Sequence, residues 1–143
     1  ASAVLEGSKL KKGQAAPDFT LQDLDGKTWK LSELKGKKIV MIDFWAPWCG
    51  PCKGFAPVFE SVSEKHPNVV FAKVNTDEEQ ELAGYFNIRS IPTLMAFREK
   101  VIVFQQAGAL PAQALQQVVD KTLALDMKEV HEAVAKQQAE KQA

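Results

Sequence analysis

Cysteine, histidine and tyrosine are scarce in this chain of 143 residues, which has two, two and one of them, and neither sign of charge is in excess. With 18 basic and 18 acidic residues the net charge is zero, so the overall balance draws the chain toward neither nucleic acid nor a membrane surface. No apolar run approaches the roughly 20 residues of a membrane-spanning helix. Two cysteines are too few for a spread framework of structural bridges. A single domain of this length also buries about two-thirds of its unfolded surface without such staples. The shortage of histidine weighs against zinc: Cys49, Cys52 and His66 are three candidate ligands, but His131 stands far along the chain and no four-ligand set results. No internal repeat is present.

The two cysteines that do occur stand together in the stretch on which the rest is organised. Ile39 to Trp45 is an apolar run long enough for a buried strand; Trp48-Cys49-Gly50-Pro51-Cys52 follows as a turn, and an apolar-periodic segment begins at once. This is a strand delivering Cys49 and Cys52 onto the first turn of a helix. Residues three apart on a helical turn are neighbours, so the two sulfurs can close a disulfide with little backbone movement, and the spacing reads as a working redox pair. The thiolate is the nucleophile in disulfide exchange. Cys49, at the helix start, meets free backbone N–H groups and the positive end of the helix dipole, which favour its anion. It is expected to be the attacking and more exposed thiol, with Cys52 more buried and held back until a mixed disulfide has formed. Asp43 is an acidic residue inside the apolar strand. Burying a carboxylate is costly without a partner or a function, and burial predicts a raised pKa that suits Asp43 to move a proton to or from Cys52.

Taken in order, Ala1 to Gly13 has no periodicity, and residues 1–15 are expected to be a flexible lead-in; a removed signal peptide would leave no trace in the sequence. Ala16 to Leu21 alternates, meets Asp25-Gly26 and alternates again from Thr28 to Leu31, a hairpin with Gly26 at positive φ. Ser32 is expected to cap a helical turn at Glu33–Leu34, ended by Gly36. After the cysteines, Phe55, Phe59 and Val62 recur at helical spacing up to His66-Pro67, with Pro57 inside. Val69 to Val74 is a strand. Thr76 or Asp77 is expected to cap a helix from Glu78 to Phe86 with Leu82, Tyr85 and Phe86 turned inward. Leu94–Phe97 and Val101–Phe104 are strands joined so closely that they must be antiparallel. Leu115, Val118, Val119, Thr122 and Leu123 mark a core-facing helix, and 126–143 a helical tail whose apolar stripe is Met127, Val130 and Val134. The pattern predicts an α/β fold: a central mixed sheet with helices on both faces, one domain over 16–125 that includes the N-terminal hairpin, and an extra C-terminal helix.

The active-site stretch, with its surroundings from about Lys37 to Leu125, resembles thioredoxin, and the resemblance implies the thioredoxin fold and a protein-disulfide reductase, a thiol–disulfide oxidoreductase that maintains redox homeostasis. It implies further roles residue by residue. Lys73 matches a lysine beside the buried aspartate, and Pro92, after Ile91, matches a cis-proline facing the cysteines that turns the Ile91 backbone outward to pair with a substrate strand. Trp48, Gly50, Pro51, Ile91, Pro92 and Gly108 would line the substrate groove, and Trp45 would pack beside it. Gly50-Pro51 resembles the reducing members of the superfamily. The cysteine pair itself holds the electrons, so no cofactor is expected in the chain. The expected partners are disulfide-containing proteins and a thioredoxin reductase drawing on NADPH, or a membrane electron carrier if the protein is exported. A cytoplasmic monomer is expected.

The departures bear on partner choice. Lys100 stands where thioredoxins commonly have a turn glycine, and Pro47 and Ser90 replace commoner residues near the site. The opening hairpin resembles peroxiredoxins and extracytoplasmic thioredoxin-like reductases, so a periplasmic reductase with a narrow client such as apocytochrome c is the alternative. His66-Pro67-Asn68-Val69 leaves no room for the insert common there, and Ala46 occupies the place of the threonine a peroxidase wants. A non-catalytic binding subunit is a third reading, which a Cys49→Ser variant discriminates.

Overall fold

The computed structural model describes residues 14–34 and 39–142. In chain order the elements are β1 (Gln14–Ala15), β2 (Thr20–Gln22), β3 (Thr28–Lys30), a 3₁₀ turn (Leu31–Leu34), β4 (Ile39–Trp45), α1 (Gly50–Glu64), β5 (Val69–Asn75), α2 (Gln80–Tyr85), β6 (Thr93–Arg98), β7 (Val101–Ala107), α3 (Ala112–Leu123) and α4 (Met127–Gln142). The main sheet has the order β1-β7-β6-β4-β5. β4 and β5 are parallel, joined by the α1 crossover, whereas β4–β6, β6–β7 and β1–β7 are antiparallel. β2 and β3 form a separate two-stranded hairpin, with Gly26 at φ 85° in its turn.

β4 lies inside the sheet, between β6 and β5, with its first six residues buried, as a continuous apolar run in a sheet covered on both faces should. Its side chains alternate between two cores. Ile39 and Met41 join Phe55, Phe59 and Val62 of α1, Leu115 and Val119 of α3, and Val130 and Val134 of α4. Val40, Ile42 and Phe44 face the hairpin, Phe86 and Phe97. By this period of two, Asp43 falls on the α1 side, and its register partner on β5 is Lys73.

Several local expectations need correction. Gln14 and Ala15 belong not to a lead-in but to β1, paired with Ile102 and Val101; the rest of the expected lead-in, and Gly36, lie outside the described residues. Ser32 does not cap the 3₁₀ turn: its hydroxyl and backbone N–H both donate to the Asp18 carboxylate, at 2.9 and 2.8 Å. α1 ends at Glu64, and α2 is shorter than expected, starting at Gln80 after an Glu79 cap that makes no side-chain bond. Tyr85 is 47% exposed while Ala83 and Phe86 are buried, because a helix this short turns only a narrow face inward. Leu123 is 43% exposed: it sits at the edge of the α3 stripe, and Leu125, past the helix end, fills the core instead. Arg98 Nη1 donates to the carbonyls of Thr122, Leu123 and Leu125 at 2.9 to 3.1 Å, satisfying the end of α3.

The tail is part of the domain. Met127, Val130 and Val134 are all buried in the same core as β4, and His131 Nε2 lies 2.8 Å from Glu99 Oε1.

Candidate active site

A parallel strand followed directly by a helix points the helix start at the carboxyl end of the strand, where sites of open α/β sheets form. Here that junction carries the cysteines. Cys49 is the N-cap of α1, with φ −88° and ψ 111°, and its Sγ accepts the Cys52 backbone N–H at 3.1 Å. Pro51 suits the first turn, where a missing N–H costs nothing. Cys49 and Cys52 are joined by a disulfide, with S–S 2.17 Å and Cα–Cα 5.3 Å.

The expected contrast in exposure between the cysteines is absent. The two residues are 4% and 3% exposed, because the bridge holds both among Ala46, Trp45 and Ile91. What separates them is position: Cys49 sits outside the helix with Sγ 3.7 Å from the Ile91 carbonyl oxygen, whereas Cys52 lies inside the first turn. The Ile91–Pro92 peptide is cis, and Pro92 is buried. Gly108, at φ 103°, donates its N–H to the Pro92 carbonyl at 2.8 Å, so the end of β7 is tied to the loop facing Cys49. Gly50 and Pro51 are exposed beside the bridge, and Trp48 is 70% exposed.

Asp43 is fully buried, and neither carboxylate oxygen has a hydrogen-bond partner. Burial pushes its carboxyl up to about 6, against a smaller downward pull from Lys73. Lys73 does not hydrogen-bond it. Its ammonium stands 4.6 Å from the centroid of the Trp45 ring, and both residues line a cleft of about 940 Å³ that also meets Asp23 and Glu60.

Sequence reasoning missed the segment after β5. Thr76 and Asp77 are not helix caps: the Thr76 N–H and hydroxyl both donate to the Trp45 carbonyl, at 2.9 and 3.2 Å, and Asp77 Oδ2 accepts the Trp48 indole N–H at 3.0 Å. The available signal was the polar run Asn75-Thr76-Asp77 at the carboxyl end of a strand parallel to β4.

A cysteine pair at the start of a helix, following an interior strand that carries a buried carboxylate, defines a dithiol–disulfide exchange protein. The family model for thioredoxin matches residues 20–121. A protein of Streptomyces coelicolor assigned as thioredoxin 2 is 56% identical over 103 residues, 72% of this chain and 77% of that protein. Thioredoxin 1 of Synechococcus elongatus is 43% identical over 67% of this chain and 91% of its own length. Among solved structures, Fasciola hepatica thioredoxin superposes with a TM-score of 0.57 at 31% identity, covering 62% of this chain and 85% of that one. The chain therefore belongs to the thioredoxin family. It is a thiol–disulfide oxidoreductase working by dithiol–disulfide exchange, and the family implies disulfide-bearing clients and a reductase as partners. No helix among the described residues is long and apolar enough to cross a membrane.

Proposed function

We propose that this protein is a general protein-disulfide reductase in which Cys49 attacks and Cys52 resolves. The observation that carries the reading is the placement of Cys49 Sγ at the helix N-cap, 3.7 Å from the Ile91 carbonyl, with the Asp43 carboxyl buried in the strand that leads to it. In the reduced protein the Cys49 thiolate attacks one sulfur of a client disulfide. A Cys49–client bond forms, the client S–S bond breaks, and the departing client thiolate takes up a proton. Ionised Asp43 then accepts the proton of Cys52, whose thiolate attacks Cys49 Sγ. The mixed disulfide breaks, the second client thiolate leaves, and Cys49–Cys52 closes: two electrons have moved to the client and the pair is oxidised. Lys73 offsets part of the charge on Asp43.

Clients approach along Trp48, Gly50, Pro51, Ile91, Pro92 and Gly108, with the Ile91 backbone offering pairing groups to an extended segment. The pair is recharged by thioredoxin reductase with NADPH, the protein acts as a monomer, and the cytoplasm is its compartment. The β2–β3 hairpin favours one competing reading, an exported reductase with a single client, recharged by a membrane carrier.

Equilibrium titration of Cys49–Cys52 against a dithiol buffer, followed by tryptophan fluorescence, tests the proposal. A potential more negative than about −230 mV, together with reduction of insulin, supports it. A value near the about −180 mV of an isomerase or above refutes an outward flow of electrons.

A further inference from the structure

We propose that Asp77 is the positioning residue that fixes Trp48 as a wall of the client groove, so that it sets affinity for protein disulfides without touching the sulfur chemistry. The inference deepens the proposed function and rests on the reading of Trp48 as a groove residue. Trp48 is 70% exposed, and an indole so placed has little packing to hold its rotamer. Its indole Nε1–H donates to Asp77 Oδ2 over 3.0 Å, a bond that joins the loop after β4 to the loop after β5.

The acceptor is held before the indole arrives. Asn75 Oδ1 accepts the Asp77 N–H at 2.9 Å, the Asn75 carbonyl accepts from Glu78 and Glu79 N–H at 3.2 and 2.9 Å, and Thr76 is pinned to the Trp45 carbonyl through both its N–H and its hydroxyl. The backbone on either side of Asp77 is thereby fixed relative to β4 and the cysteines, and only the carboxylate projects. A client that lies against the indole then meets a wall already in place, and loses less freedom on binding than it would against a rotating ring. A small disulfide that reaches Cys49 alone gains nothing from that wall.

The test uses the full chain, pre-reduced and mixed with increasing insulin, with free thiols counted by alkylation after an acid quench. Asp77→Ala is expected to raise the half-saturating insulin concentration about three- to tenfold, the size to which a net hydrogen-bond contribution converts, with the plateau rate held within twofold. The second-order rate with dithionitrobenzoate, too small to span the groove, should change by less than about twofold on the same reckoning. Asp77→Asn, whose amide oxygen still accepts from the indole, should recover most of the loss. In a Trp48→Phe background, which has no N–H to donate, Asp77→Ala should add nothing. The inference is overturned if Asp77→Ala leaves half-saturation unchanged, if it acts equally without the indole N–H, if asparagine fails to rescue, or if the dithionitrobenzoate rate falls in step. If Trp48→Ala also leaves insulin half-saturation unchanged, the groove reading falls with it; if Trp48→Ala raises it and Asp77→Ala does not, only the role of Asp77 falls.

Discussion

Replacing Asp43 by asparagine should change how stability depends on pH, in a direction opposite to that of most carboxylates. Asp43 is fully buried with both oxygens unpartnered, and burial raises its carboxyl from an ordinary value of 3.8 to about 6. Between those values the folded state holds a proton that the unfolded state has released. Stability therefore falls as pH rises through the window from 3.8 to about 6, and the whole penalty stands above it. At about 1.4 kcal/mol for each tenfold in proton affinity, the penalty is about 3 kcal/mol. Asparagine keeps the volume and cannot ionise; its buried amide carries a cost of about 1–3 kcal/mol that does not vary with pH. The informative quantity is thus the stability of the native protein minus that of Asp43→Asn, which should drop by about 3 kcal/mol between about pH 3.5 and pH 7.5. Urea unfolding of the oxidised proteins, followed by far-UV circular dichroism at half-unit steps of pH, measures it. Parallel curves would refute the argument. The same substitution should slow release of the reduced client, because Cys52 loses its proton acceptor, and in the native protein that step should slow as pH falls through about 6.

Three further outcomes are expected. Cys52→Ser should stop at the mixed disulfide and give client adducts on non-reducing gels that dithiothreitol dissolves, whereas Cys49→Ser should give none; equal trapping by both would reverse the assignment of attacking and resolving thiols. Val130→Ala, in a residue 2% exposed, should cost about 2 kcal/mol in denaturant unfolding, and a loss below about 0.5 kcal/mol would mean that α4 merely decorates the surface. Lys100→Gly should stabilise by about 0.5–1 kcal/mol, because Glu99 and Lys100 occupy the two-residue turn between β6 and β7 with φ of 53° and 65°, where glycine is least strained; an unchanged or lowered midpoint would count against that account.

How far the sequence is legible depends on whether the determining contacts are local. β4 and α1 are readable because an unbroken apolar run and a helical stripe of Phe55, Phe59 and Val62 need no distant information, and Gly26 marks its own turn. Cys49, Cys52 and Asp43 are readable because their residue types are anomalous where they stand. β1 is not, since two residues cannot show an alternation, and its partners, Val101 and Ile102, lie far along the chain. The burial of α4 is half legible: Met127, Val130 and Val134 form a visible stripe, but the surface receiving it is assembled from β4, β7 and α3. Tyr85 and Leu123 face outward because each stands at the margin of a helical face, where periodicity alone does not decide. Asp77 escapes notice because aspartate after a strand is commonly a cap, and the Trp48 indole that engages it is 29 residues away in sequence.

β1 and α4, which lie outside the stretch matched by the family model, gather at the end of the sheet remote from the cysteines. Ile39 and Trp45 are the two ends of β4, and six steps of about 3.3 Å put about 20 Å between them. The buried residues of α4 belong to the same core as Ile39 and Val101 at the far end. There the strained turn is held from both sides, by the Ala16 N–H donating to the Lys100 carbonyl at 2.9 Å and by His131 on Glu99. A turn of two non-glycine residues at positive φ persists where its surroundings over-determine it, and β1 and α4 supply those surroundings. The lysine that replaces the expected turn glycine is thus held by elements outside residues 20–121, the stretch that the family model matches. At the other end, Cys49 meets the Ile91 carbonyl, and the 75–79 segment is hydrogen-bonded to Trp45 and Trp48 just before the cysteines. Changes to the tail or the turn should therefore register in unfolding experiments, and changes to the 75–79 segment in client affinity. Neither should alter the order in which the two sulfurs react.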